Sequence, residues 1–202
     1  MTAITHLFFD IGGVLGSNGW DREQRSRATE RFGLEPEFEA RHAELVGDWE
    51  IGRLTLAEYL DSAVFFVARP FTREEFVSFM FAQSEPFVET IALARAVAKG
   101  RRGVRLFTLN NEADELNRER IRRFELRTVF ESFLSSCWLG VRKPSRSMFV
   151  RAAAIAGADA GDIFFVDDRE QNLVPARALG WDTHHFTGAA LLESALRERG
   201  LL

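Results

Sequence analysis

A chain of 202 residues, 46% of them hydrophobic and with a formal net charge of -4, can bury one good core with length to spare, so one catalytic domain carrying an insertion is expected. The slight acidity excludes a general attraction to nucleic acid or membrane surfaces, and no segment approaches the ~20 apolar residues needed to cross a bilayer. A single cysteine, Cys137, excludes an internal disulfide; the first apolar run is short, lacks a basic leader and contains Asp10, so a reducing, cytoplasmic setting is expected.

The first predicted strand, residues 5–9, carries the run Leu7-Phe8-Phe9 and ends on Asp10, followed at once by Ile11-Gly12-Gly13-Val14-Leu15. A strand that runs into a carboxylate and two glycines places the acid at its C-terminal edge, beside backbone that can approach a ligand closely. Open α/β sheets keep their chemistry at that edge. From residue 16 to 84 only helical segments are predicted, over residues 21–31, 37–46, 56–67 and 73–81. Two open with the capping-box spacing, Thr55-x-x-Glu58 and Thr72-x-x-Glu75. A helical module inserted here stands over the edge carrying Asp10 and reads as a lid. Within it, Trp20, Trp49, Arg53 and Tyr59 can line a pocket; for the two tryptophans, the lid's own core is the preferred reading. The stretch Trp49-Glu50-Ile51-Gly52-Arg53 reads as a tight loop able to reach the site.

A helix over residues 85–98 then leads to a strand over 104–109 that closes on Asn110-Asn111, amides that can donate N–H to an anion without adding charge. In the helix over 112–124, the run Arg118-Glu119-Arg120-Ile121-Arg122-Arg123 reads as a solvated face. A strand follows over 132–135; Cys137, on its continuation, reads as a small core residue in preference to a catalytic thiol. Val141-Arg142-Lys143-Pro144-Ser145 holds a compact cation just before a helix over 146–156. The strand over 163–166 ends on Asp167-Asp168, and a helix over 171–179, a strand over 183–186 and a helix over 189–199 complete the chain. Alternating strands and helices imply a parallel sheet covered on both faces. If the strands ending on Asp10 and on Asp167-Asp168 are neighbours, three acids converge; such a cluster favours a cation, and an all-oxygen site suits Mg²⁺.

In this order, Phe8-Phe9-Asp10-Ile11-Gly12-Gly13-Val14-Leu15, Leu109-Asn110-Asn111, Arg142-Lys143-Pro144 and Phe165-Val166-Asp167-Asp168-Arg169-Glu170-Gln171-Asn172 resemble the four motifs of the haloacid dehalogenase-like (HAD) hydrolase superfamily. Within it the chain looks similar to small bacterial phosphatases of the glucose-1-phosphatase and epoxide-hydrolase N-domain branches. The resemblance spans nearly the whole chain. It implies an α/β fold, a Rossmann-like doubly wound parallel sheet over residues 1–15 and 85–202, with a small all-helical cap over residues 16–84. It also implies a Mg²⁺-dependent phosphatase acting on a small phosphorylated metabolite through an aspartyl-phosphate. Asp10 matches the nucleophile, and Lys143 the lysine that orients it. Asp10, the Gly12 carbonyl and Asp168, with Asp167 directly or through water, match the metal ligands. Asn110 falls where the family has a Ser or Thr on a phosphate oxygen, and Asn111, Gly12, Gly13 and Arg53 are expected at the substrate.

The chain departs from the family at Gly12, where most of its phosphatases carry a second aspartate that protonates the leaving oxygen. General acid–base assistance contributes about 10²–10⁴-fold. Its absence favours substrates with good leaving groups, such as sugars phosphorylated at the anomeric carbon, or demands an acid from the lid such as Glu50. Two other readings stand beside the phosphatase. Dehalogenation of a 2-haloacid uses the same aspartate and needs no proton on the departing halide, but leaves Asp167-Asp168 without a purpose. A non-catalytic binding module accounts for Gly12, but gives Asp10, Lys143 and the paired acids no role.

Overall fold

The computed structural model describes residues 3–100 and 103–202, so the core boundary set at residue 1 begins outside the described residues. Five parallel strands form one sheet in the order β3-β2-β1-β4-β5: β1 (His6–Phe9), β2 (Arg105–Asn110), β3 (Ser132–Ser135), β4 (Ile163–Asp167) and β5 (Asp182–His185). The expected α/β doubly wound sheet is present. Its central strand, β1, pairs Phe9 with Thr108 on one side and Val166 on the other, so Asp10 and Asp167 emerge side by side.

Both faces of β1 are apolar because both are covered, as a buried parallel strand requires. Leu7 and Phe9 point into a cluster with Ile91, Ala94 and Val97 of α5 (Val88–Gly100) and with Leu192 and Leu196 of α10 (Ala189–Glu198). Phe8 points the other way, against Phe149 and Ala152 of α8 (Arg146–Ala156) and Leu173 of α9 (Glu170–Ala178). This alternation follows from the two-residue period of a strand.

Between β1 and α5 lie α1 (Arg22–Phe32), α2 (Phe38–Glu50), α3 (Leu56–Ala63) and α4 (Arg73–Ala82). Thr55 and Thr72 form the two expected capping boxes, and Asp21 with Gln24 forms a third. The four helices share an apolar cluster of their own, built on Trp20, Phe38, Trp49, Tyr59 and Phe76, which also takes in Ala113 and Leu116 at the start of α6 (Asp114–Arg123). Two helix ends lie four residues from where the sequence reading puts them. α2 continues through Trp49 and Glu50, because Trp49 is anchored by stacking on Tyr59 at 4.0 Å. α3 stops at Ala63 and does not reach residue 67: the Arg41 and Arg69 guanidinium groups donate to the carbonyls of Ala63 and Val64, satisfying the helix end from the side.

The helical segment leaves and re-enters the sheet through adjacent strands of backbone. Ser17 N–H donates to the Glu85 carbonyl at 2.8 Å, and Phe87 N–H to that of Leu15 at 2.9 Å. Gly16 sits at this crossing, where a Cβ would come within 2.6 Å of the Glu85 carbonyl and 2.5 Å of the Phe124 ring. Ion pairs tie the helices down over the sheet edge: Asp21 to Arg169 at 2.8 Å and Glu50 to Arg142 at 2.7 Å.

Candidate active site

Asp10, Asp167 and Asp168 offer carboxylate oxygens within 4.8 Å of one another at the C-terminal edge of β1 and β4. Lys143, fully desolvated on the loop before α8, bridges them, with Nζ 3.1 Å from Asp10 Oδ1 and 2.6 Å from Asp167 Oδ2. Its third donor contact is the Leu109 carbonyl at 2.8 Å, so the ammonium is held at three points. Asn111 fixes the lysine's backbone by accepting from Lys143 N–H at 2.8 Å and donating to its carbonyl at 2.9 Å.

The three acids are not equivalent. Both Asp167 oxygens are engaged: Oδ1 accepts from Arg169 N–H at 2.8 Å and from Asn172 Nδ2 at 2.9 Å, and Oδ2 accepts from Lys143. Asp168 differs, its Oδ1 buried without a hydrogen-bond partner among the described residues. A buried carboxylate oxygen left unpaired is costly, and here it faces two further acids. An all-oxygen donor set with one orphaned oxygen is what a hard divalent cation would satisfy, so the residues present fit Mg²⁺. Gly13, at φ +75°, makes room for this arrangement, since a Cβ there would lie 2.3 Å from Asp168 Oδ2.

Electrostatics agree with the geometry. Burial raises the Asp10 carboxyl to about 7, with Lys143 opposing the rise and Asp167 and Asp168 adding to it. Burial works against the Lys143 charge, yet Asp10 and Asp167 carry the ammonium above its ordinary value. Burial likewise lifts Asp168, with Asp167 next in effect.

Above these residues lies a cavity of about 410 Å³, with Asp10, Lys143 and Asn172 on the floor and Trp20, His42 and Glu50 on the helical side. One wall is a buried ion pair absent from the sequence reading. Arg120 Nη1 donates to Glu112 Oε2 at 2.7 Å, and the Arg120 guanidinium also bonds the Ser17 carbonyl. Burial raises the Glu112 carboxyl, against Arg120. Thus Arg120 corrects the reading of residues 118–123 as a solvated face, although Arg118, Arg122 and Arg123 are exposed. The signal was present in the helical period: Arg120 lies four residues from Leu116 and three from Asn117, on the buried side of α6.

Other expected residues are placed elsewhere. The Asn110 amide is turned away from the cavity into a buried network, donating to Asn117 Oδ1 at 3.0 Å and accepting from Ser135 Oγ at 2.8 Å. Gly13 N–H is used by the Gly16 carbonyl at 2.7 Å and offers nothing to a ligand. Arg53 is exposed and paired with Asp48, outside the cavity. Trp49 and Tyr59 are buried in the helical cluster, whereas Trp20 serves both that cluster and the cavity wall. Cys137 lies in a short helix, α7 (Ser136–Leu139), and does not extend the strand; burial pushes its thiol up to about 12, which leaves it a poor nucleophile. Glu50 reaches the cavity but is paired with Arg142.

A family model described as a hydrolase, haloacid dehalogenase-like hydrolase, matches residues 4–180. The chain belongs to this family. No curated protein matches this HAD-like hydrolase. Among solved structures it is similar to the HAD family enzyme BT-2542 of Bacteroides thetaiotaomicron, in complex with magnesium and inorganic phosphate, at TM-score 0.74 and 23% identity over 90% of this chain and 93% of that one. A predicted HAD-like family hydrolase of Porphyromonas gingivalis superposes at TM-score 0.75 and 21% identity, covering 97% and 99%. A dehalogenase superposes at TM-score 0.70 and 17% identity, covering 97% and 98%. At these identities the solved structures establish the fold of the HAD-like hydrolase.

Proposed function

We propose that this HAD-like hydrolase is a Mg²⁺-dependent phosphatase of small phosphorylated metabolites, with residues 16–84 acting as its cap. The observation that carries the reading is the orphaned Asp168 oxygen beside Asp10 and Asp167, an arrangement that calls for a cation. Asp10, Asp168 and the Gly12 carbonyl would hold the ion, with Asp167 acting directly or through water. Mg²⁺, when bound, supplies positive charge to the phosphoryl oxygens. The Bacteroides neighbour, seen with magnesium and phosphate, supports the same choice.

In this reading an Asp10 oxygen attacks phosphorus in line with the departing oxygen, which leaves with its bonding electrons as the phosphoryl group passes to Asp10. Water then attacks the aspartyl-phosphate and releases inorganic phosphate, restoring the carboxylate. Lys143 holds Asp10 in place and balances the charge that gathers on the transferring group. Asn111 and Asn172 act by fixing Lys143 and Asp167. The paired contacts Asp21 to Arg169 and Glu50 to Arg142 link the helices to the loops that carry the site.

One observation favours a second reading. Gly12 offers no acid, and halide departure from a 2-haloacid needs none; a dehalogenase is also among the structural neighbours. A single assay separates the two. Phosphate release from p-nitrophenyl phosphate that requires Mg²⁺ and stops in chelator is expected. Halide release from 2-chloropropionate, unaffected by chelator and with no phosphatase activity, would replace the phosphatase reading.

Leaving-group dependence gives a further prediction. Aryl phosphates should turn over faster than primary alkyl phosphates by about 10²–10⁴-fold, the assistance an internal acid would have supplied. Gly12→Asp should not remove that difference. The new Cβ would sit 2.9 Å from Asn18 Oδ1 and 3.6 Å from Arg120 Nη1, so the introduced carboxylate meets a guanidinium that keeps it ionised and unable to donate a proton. Rates for both ester classes, measured in wild type and variant, check this; a flattened dependence in Gly12→Asp would mean that the new acid escapes Arg120.

A further inference from the structure

A relay of side chains in the helical segment ends on the imidazole of His42, which lines the cavity. Trp20 Nε1 can only donate, and it donates to Tyr59 Oη at 3.1 Å. Tyr59 is fully buried, and among the described residues its hydroxyl proton has one acceptor within reach, His42 Nδ1 at 2.9 Å. A buried hydroxyl proton left without an acceptor is strongly disfavoured, so Nδ1 accepts and the ring carries its own proton on Nε2. Burial, ahead of Arg25, lowers the imidazole to about 4 against the opposing charges of Glu39 and Asp21, which keeps the ring neutral near pH 7. Trp49, stacked on Tyr59, stiffens the relay. His42 lines the same cavity as Asp10, and its Nε2 has no hydrogen-bond partner among the described residues.

The charges around it are already matched. Arg25 pairs with Glu39 at 2.8 Å, Arg169 with Asp21 at 2.8 Å, Arg142 with Glu50 at 2.7 Å and Arg120 with Glu112 at 2.7 Å. A leaving group bearing a second phosphate or a carboxylate would find no unmatched cation on this side among the described residues. One bearing hydroxyls would find a neutral, fixed donor. We propose that His42 is a specificity-determining residue whose Nε2–H donates to an uncharged oxygen of the leaving group, selecting polyhydroxylated phosphate esters over acidic ones. This role rests on the phosphatase reading above. A neutral imidazole does not give up its Nε2 proton at ordinary pH, so the contact is one of recognition and not of acid catalysis.

The test compares His42→Leu, which removes the donor, with His42→Gln, whose amide nitrogen returns one near the Nε2 position. In His42→Leu, KM for glucose 1-phosphate should rise about tenfold, as loss of one hydrogen bond allows, while phenyl phosphate, whose leaving group has no oxygen besides the ester oxygen, changes less than twofold. His42→Gln should recover most of the lost affinity. Nitrogen-15 spectra of the wild-type imidazole should show Nε2 protonated and Nδ1 unprotonated at pH 7. Equal effects on both esters, no effect on either, or an Nδ1–H tautomer would overturn the assignment while phosphatase activity stands. Absence of phosphate release from every ester in the wild type would instead overturn the phosphatase reading, and the role of His42 with it.

Discussion

Asp10→Asn is expected to abolish phosphate release, on the order of 10⁴-fold or more, with the fold intact. The amide has the shape of the carboxylate, so its carbonyl oxygen can still accept from Ile11 N–H, now at 2.8 Å, and from Lys143 Nζ, now at 3.1 Å. What is lost is the anionic oxygen that attacks phosphorus. Stability should change little, because two effects oppose each other: Lys143 loses one anion but keeps Asp167 at 2.6 Å, and the cluster loses one of three mutually repelling carboxylates. Phosphate release and thermal unfolding measured on the same preparation check both halves. Activity within tenfold of wild type would remove Asp10 from the role of nucleophile.

The sheet and the acid cluster were legible in sequence because both rest on short-range signals. Apolar runs that end in Asp10 and in Asp167-Asp168 mark strand ends, and parallel pairing of β1 with β4 then brings the acids together without further information. The cavity wall was harder to read. Glu112 and Arg120 lie eight residues apart and look like ordinary surface charges, and only the packing of α6 against the helical segment buries them as a pair. Asn110 shows the opposite failure: its position at a strand end suggested a ligand, but Asn117 and Ser135, brought alongside by α6 and β3, take up its amide. Arg53 was misread because α2 continues to Glu50 and carries the following turn to the surface. His42 gave no signal, since its tautomer depends on Trp20 and Tyr59, 22 residues before it and 17 after it, meeting at one point.

Replacing Lys143 tests the charge balance of the cluster by a route that does not depend on turnover. Lys143→Met keeps the length of the side chain and its packing over the Phe165 ring, which Nζ now approaches to 5.4 Å from the centroid. It removes the cation from the buried carboxylates of Asp10 and Asp167. Deleting one partner of a buried ion pair typically costs about 3–5 kcal/mol, which for a domain of this size lowers Tm by about 6–20 °C. Two conditions should narrow the gap between variant and wild type. Added Mg²⁺ should raise the Tm of Lys143→Met more than that of the wild type, because the ion becomes the remaining positive charge at Asp10 and Asp168. Lower pH should narrow it as well. Burial already raises the Asp10 carboxyl to about 7, and loss of Lys143, which opposes that rise, carries it higher still. A carboxyl whose folded pKa lies above its unfolded value costs stability wherever the fold holds it ionised, so the variant's extra deficit is full above its own raised pKa and closes as pH falls toward about 7, below which Asp10 is protonated in both proteins. Calorimetry of both proteins at pH 8 and pH 5, with Mg²⁺ and with chelator, provides the check. A Tm deficit that ignored both pH and Mg²⁺ would show that Lys143 acts through packing alone and that the three acids do not form a cation site.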